Sequence, residues 1–89
     1  MIQQAIDRVS KMEQCFDILQ KAENENPNAF LEDSSVKEML QILEQYYQSG
    51  QWLYDYELDE KGLIPQNIKR GVLSQDAVYD FFDRVSSIR

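Results

Sequence analysis

The sequence predicts an all-α fold: an antiparallel three-helix bundle with a short aromatic-acidic fourth segment capping one end. Three observations predict it. Apolar residues recur at steps of three and four over residues 2–23, a second apolar face runs over 35–48, and a third runs over 75–88. The connections between them are short, which favours antiparallel neighbours. Eighty-nine residues make a single helical domain, 1–89. An apolar fraction of 43% is that of a folded chain rather than a disordered one.

The first helix carries Ile2, Ala5, Val9, Met12, Phe16 and Leu19 at alternating steps of three and four. Ile6, Cys15 and Ala22 widen this stripe beyond a strict coiled-coil seam, which suits a helix packed against two neighbours of its own chain. The alternative is a homodimer through this first helix, against which stands a seam of fewer than three clean heptads. Asp7, Arg8, Lys11 and Asp17 lie mostly off the stripe. Pro27 and the asparagines at 24, 26 and 28 end the helix, and Phe30-Leu31 folds back onto the core.

Ser35 and Glu38 have capping-box spacing, so the second helix is expected to start there. Val36, Met39, Leu40, Leu43, Tyr46 and Tyr47 share one sector, while Lys37, Glu38, Gln41, Glu44 and Gln45 point away. Gly50 is expected to end it in the left-handed conformation. Residues 51–60 read either way. Trp52, Tyr54, Tyr56 and Leu58 alternate with Leu53, Asp55, Glu57 and Asp59 as in a strand, whereas as a helix Trp52, Asp55, Tyr56 and Asp59 share a face. A lone strand needs a partner, and only Leu63-Ile64 or Gly71 to Leu73 could serve; two short strands are marginal by themselves, so a short helix with Ser49 as N-cap is the expectation. Pro65 is expected to open one helical turn that Gly71 ends. Ser74 caps the last helix, with Asp76 in its first turn and Val78, Phe81, Phe82, Val85 and Ile88 on its apolar face. Arg84 and Arg89 near its end match the helix dipole.

Charge excludes some functions. The chain has 16 acids, 9 bases and a net charge of −7, the opposite of a nucleic-acid binder. Residues 32–60 hold eight acids and one base, whereas residues 61–89 hold five bases and three acids. Attraction between these stretches would place Lys69 and Arg70 against the carboxylates of 55–60 and Tyr79 near Trp52 or Tyr56. No apolar run is long enough for a membrane span. The start of the chain lacks signal-peptide character, and a lone cysteine cannot form an internal disulfide, which together point to the cytoplasm.

With no histidine, the nucleophile–imidazole arrangements and imidazole zinc sites are absent. Asp55, Glu57 and Asp59 alternate as calcium ligands do, but Glu60 stands where the calcium loop needs glycine, and Gln66 stands where it needs glutamate. No metal or other cofactor is therefore expected, and no enzymatic activity. Cys15 reads as a core residue.

Over Tyr46-Tyr47-x-Ser49-x-x-Trp52-x-x-Asp55-Tyr56-Glu57, then Gly62-Leu63-Ile64-Pro65, then Lys69-Arg70-Gly71-Val72-Leu73-Ser74-x-Asp76-Ala77-Val78-Tyr79-Asp80, the chain resembles a family of small bacterial proteins classed as domain of unknown function 4298. The resemblance covers Tyr46 to about Phe82. It implies a bacterial, cytoplasmic, mostly helical domain and brings no reaction or ligand.

Two functional expectations follow. The first is a protein-interaction or regulatory module contacting an unknown protein partner through Tyr47, Trp52, Tyr54, Asp55, Tyr56 and Glu57, since aromatic residues dominate interface energetics. The second is a small-anion or nucleotide-phosphate binder built on Lys69, Arg70, Gly71 and Ser74, where basic side chains precede a helix start.

Overall fold

α1 spans Ile2–Glu25, α2 Ser34–Gln48, α3 Gln51–Glu60 and α4 Gln75–Ile88, with single 3-10 turns at Phe30–Glu32 and Gly71–Leu73. The computed structural model describes the backbone of residues 2–88 and side chains up to Ser87. The described residues contain no strand. The expected roles of Ile88 as an apolar-face side chain and of Arg89 as a C-terminal charge lie outside the described residues.

α1 is the spine. Its 24 residues, at a rise of about 1.5 Å each, run about 36 Å, and the molecule measures 39 × 19 × 18 Å. Ala5, Val9, Met12, Phe16 and Leu19 are all buried by the rest of the same chain. These are the stripe positions that the alternative reading, a homodimer through the first helix, would use, apart from Ile2, which is exposed. The helix ends where Asn26 N–H bonds to the Ala22 carbonyl, just before Pro27.

The other helices are placed by their contacts with α1. The Cys15 thiol donates to the Met39 carbonyl at 3.4 Å, and Arg8 and Tyr46 meet on Asp55. Residue numbers thus fall along α1 as they rise along α2. α3 continues in that sense: Asp55 lies against Arg8, and Leu58 clusters with Ala5 and Ile64. α4 runs with α1. Val72, just before it, bonds to Glu13, the Phe81 ring meets Phe16 edge-on at 5.5 Å, and Arg84 pairs with Glu23. Phe30 is buried and sets its ring edge-on to Phe81 at 6.4 Å.

Several local expectations are revised. α2 is capped by Asp33 rather than Ser35. The Asp33 carboxylate accepts the N–H groups of Ser35 and Val36, and the Ser35 hydroxyl donates to it at 2.7 Å. A carboxylate is the stronger acceptor and also meets the positive end of the helix. Ser49 closes α2, and Gly50 follows at φ 94°, a left-handed conformation that suits glycine. The residue flanking the start of α3 is therefore Gly50. Ser49 contributes only a 3.4 Å contact from its hydroxyl to the Gln51 N–H. After Pro65 the chain makes a turn, Ile68 N–H to Pro65 carbonyl, instead of a helical turn, and Gly71 opens a 3-10 turn rather than ending one. Ser74 caps α4 as expected, accepting from the Ala77 N–H at 3.4 Å.

Candidate functional site

α3 turns Trp52, Asp55 and Leu58 inward. Asp55 is fully buried, and its carboxylate accepts from Arg8 Nε at 2.8 Å, from Arg8 Nη2 at 2.5 Å and from the Tyr46 hydroxyl at 2.7 Å. Such a charge is held inside only because a bidentate guanidinium and a phenol replace its water. In return, Asp55 holds the Arg8 guanidinium above its ordinary range, and burial together with Asp55 raises the Tyr46 phenol well above a tyrosine's usual value. Trp52 is 6% exposed and donates from Nε1 to the Val72 carbonyl at 2.8 Å. Trp52 and Asp55, expected as contact residues, are therefore interior groups that hold α3 in place. The apolar ring is satisfied by the core, and the carboxylate has no free oxygen to offer.

The remaining contact candidates divide between two sides of α3. Tyr54 is 51% exposed and lies toward α1, with the Arg8 guanidinium 6.0 Å from its ring centre. Glu57 is exposed. Tyr56 lies some 160° around the helix from Tyr54, at 100° per residue, and so faces α4. Its ring stacks on Trp52 at 5.1 Å, Trp52 meets Tyr47 at 5.0 Å, and Tyr47 meets Phe82 at 5.5 Å. These four rings form one band from α3 across the end of α2 to α4. Tyr79, expected beside Trp52 or Tyr56, is instead 64% exposed, because Tyr47 and Tyr56 already cover the Trp52 ring.

The band opens into a groove of about 360 Å³ between α2 and α4, lined by Glu44, Tyr47, Tyr79, Phe82, Asp83 and Val85 among others. Carboxylates crowd its other end. A hydrogen bond to Glu60 foremost, then the charge of Glu60 and, more weakly, of Asp59 and Asp76, raise the Tyr56 phenol above its ordinary value, because each favours the protonated form.

The four acids of residues 55–60 do not converge. Asp55 points to Arg8, and Asp59 pairs with Arg70 at 2.7 Å, while Glu57 and Glu60 are exposed. Among the described residues no group of three potential ligands could hold a metal ion.

The anion-binding candidates lie in the loop before α4. Arg70 is committed to Asp59 and to the Ile64 carbonyl, as the charge argument anticipated, whereas Lys69 is simply exposed. The Val72 N–H in this loop donates to the buried Glu13 carboxylate at 2.7 Å. A Cβ added at Gly71 would sit 3.3 Å from Glu13 Oε2, and the Ser74 hydroxyl is engaged in its own helix cap. The Glu13 carboxylate thus lies against Gly71 and Val72 in the middle of this stretch.

Three charged residues on α1 were not singled out as site residues, yet they organise this region: Arg8, Glu13 and Glu23. Their positions carried a signal. Glu23 continues the alternating stripe one step past Leu19, Arg8 precedes Cys15 by seven, and Glu13 follows Ile6 by seven. All three occupy the inward face or its margins, and each finds a partner from another element.

A protein-family profile described as "Domain of unknown function (DUF4298)" matches residues 9–88. The match extends well to the N-terminal side of the motif residues 46–82 and takes in most of α1. No curated protein matches the chain, and no solved structure matches it. With nearly its whole length covered by that profile, the chain belongs to the DUF4298 family.

Proposed function

We propose that this protein is a non-enzymatic interaction module, acting in the bacterial cytoplasm, that contacts a protein partner through the aromatic band between α3, α2 and α4. One observation carries the reading. Tyr47 and Phe82, half-buried on the edge of the core, and the 64% exposed Tyr79 line a groove, and carboxylates stand at its margin. Isolated exposed apolar residues are ordinary on a protein surface, but aromatic rings gathered at a concavity mark interaction sites. The finer architecture that fits is a bundle of α1, α2 and α4, antiparallel between chain neighbours, with α3 closing the end near the start of α1. In this arrangement the buried Arg8–Asp55–Tyr46 network and Trp52 position the band, and the partially open rings make the contact.

The test is co-purification with tagged protein from bacterial cells, comparing wild type with Tyr79→Ser and with Tyr54→Ser on the other side of α3. The reading predicts a partner retained by wild type and by Tyr54→Ser and lost with Tyr79→Ser, with helical circular dichroism unchanged in all three. Retention unaffected by Tyr79→Ser would refute the placement of the contact. No helix described here is long and apolar enough to cross a membrane.

A further inference from the structure

We propose that Glu13 is a positioning residue for the aromatic band, acting on the Trp52 ring through the backbone of Val72. This rests on the interaction reading above and names what holds the contact surface in shape. One residue carries both links. The Val72 N–H donates to Glu13 Oε1 at 2.7 Å, and the Val72 carbonyl accepts from Trp52 Nε1 at 2.8 Å. Val72 has no exposed surface, so water does not compete for either bond there.

The indole has a single donor, Nε1–H. The Arg8–Asp55–Tyr46 network anchors α3 itself, whereas the Nε1 bond and the neighbouring rings orient the indole. That ring stacks on Tyr56 at 5.1 Å and meets Tyr47 at 5.0 Å, and Tyr47 meets Phe82 at 5.5 Å. The setting of Trp52 is therefore passed along the whole band.

Val72 depends on anchors outside its own turn. It sits in a 3-10 turn of three residues, Gly71–Leu73, too short for a hydrogen-bond ladder to hold it in place. Burial of the Val72 and Leu73 side chains is favourable but non-directional. Arg70 ties the start of the turn to Asp59 on α3 at 2.7 Å. The Glu13 bond is the directional link from Val72 to α1, the longest helix. The approach is tight: a Cβ at Gly71 would lie 3.3 Å from Glu13 Oε2 and 3.4 Å from Oε1. Gly71 is not left-handed, so glycine here serves proximity to the carboxylate rather than turn geometry.

The experiment reads the one indole in the chain. Isotopically labelled full-length wild type is compared with Glu13→Ala, Glu13→Gln, Gly71→Ala and Glu23→Ala, with circular dichroism as the check on folding. The readouts are the Trp52 indole N–H resonance, its hydrogen exchange and the nuclear Overhauser contacts from the indole to Tyr47 and Tyr56. Glu23→Ala is the control, because it removes another buried carboxylate of α1 whose partner is Arg84 rather than Val72. In Glu13→Ala the indole resonance is expected to move, the contacts to both tyrosines to weaken, and indole exchange to run about fivefold faster than in Glu23→Ala. Glu13→Gln, which keeps an acceptor, should restore the wild-type signature, and Glu23→Ala should leave the resonance in place. Gly71→Ala keeps Glu13 but pushes its carboxylate and the turn apart by a few tenths of an ångström, so it should move the indole resonance as well.

Two results overturn the proposal: an unmoved indole in folded Glu13→Ala, or in Gly71→Ala should Glu13→Ala fail to fold, and an equal displacement in Glu23→Ala. Either leaves the interaction reading in place, since that reading stands on partner capture through Tyr79. Capture indifferent to Tyr79→Ser, with the indole displaced as expected, would instead remove the contact and keep the hold of Glu13 on the rings.

Discussion

Arg8→Met tests the framework beneath the proposed surface. It keeps most of the aliphatic packing of the arginine stem and deletes the two N–H donors 2.8 Å and 2.5 Å from Asp55. Asp55 has no exposed surface to recover water, and only the Tyr46 hydroxyl remains at 2.7 Å. Removing one partner of a buried pair typically costs about 3–5 kcal/mol. Because the Arg8 side chain is 24% exposed, water can enter where it leaves, which lowers the expectation to about 3 kcal/mol. A domain of 89 residues has about 4–13 kcal/mol in total. With a urea dependence of about 1 kcal/mol per molar, the midpoint should fall by about 3 M, followed by Trp52 fluorescence and by circular dichroism. Adding Asp55→Asn should restore at least half of the loss by removing the stranded charge. A midpoint within about 0.5 M of wild type for Arg8→Met alone would refute the claim that Asp55 depends on Arg8.

Tyr46→Phe should cost about 1–2 kcal/mol at neutral pH by removing a hydrogen bond to a charged acceptor. The folded Tyr46 phenol ionises above the free value of 10.0, so wild type should hold full stability below pH 10 and lose it as pH rises beyond. The variant should lose less over that range, as urea midpoints on both sides of pH 10 will show. Glu13→Ala leaves the buried Val72 N–H without its acceptor and should cost about 1–3 kcal/mol in thermal melts, whereas Glu13→Gln, which keeps an acceptor, should cost less. Burial raises the Cys15 thiol above its usual value, so iodoacetamide should modify it more slowly in the native protein than in urea at the same pH. Trp52→Ala should cost about 3–5 kcal/mol in urea titrations, so lost binding in that variant would report unfolding rather than contact.

The three long helices were legible because their inward faces are apolar at helical spacing. Val36, Leu40, Leu43 and Tyr46 on α2 and Val78, Phe81 and Val85 on α4 are buried as the periodicity required. α3 was ambiguous for a physical reason. It buries a carboxylate at Asp55 and exposes Leu53 and Tyr54 to 51% each, so apolar character does not mark its inner face. Only the charge partners resolve it, and Arg8 lies 47 residues away in the chain. Helical spacing did group Trp52, Asp55, Tyr56 and Asp59, and those residues do face the rest of the protein. The band was half legible. Tyr47, Trp52 and Tyr56 stood out as a cluster, but their joining to Phe82, and the opening beside Tyr79, depend on how α4 docks. The Lys69–Ser74 stretch read as an anion site because nothing local reveals Glu13, 59 residues from the Val72 N–H that it accepts.

The most direct measurement of the central claim is site-specific photocrosslinking in living cells. Benzoylphenylalanine replaces Tyr79 in the groove, or, as controls, Tyr54 on the α1 side of α3 or Asn28 in the loop after α1. All three positions are exposed, so the probe leaves the core intact. A discrete cross-linked species from position 79, absent from positions 28 and 54, is the predicted result. Cross-links from position 54 but not from 79, or none from any position, would contradict an interaction module that works through the aromatic band.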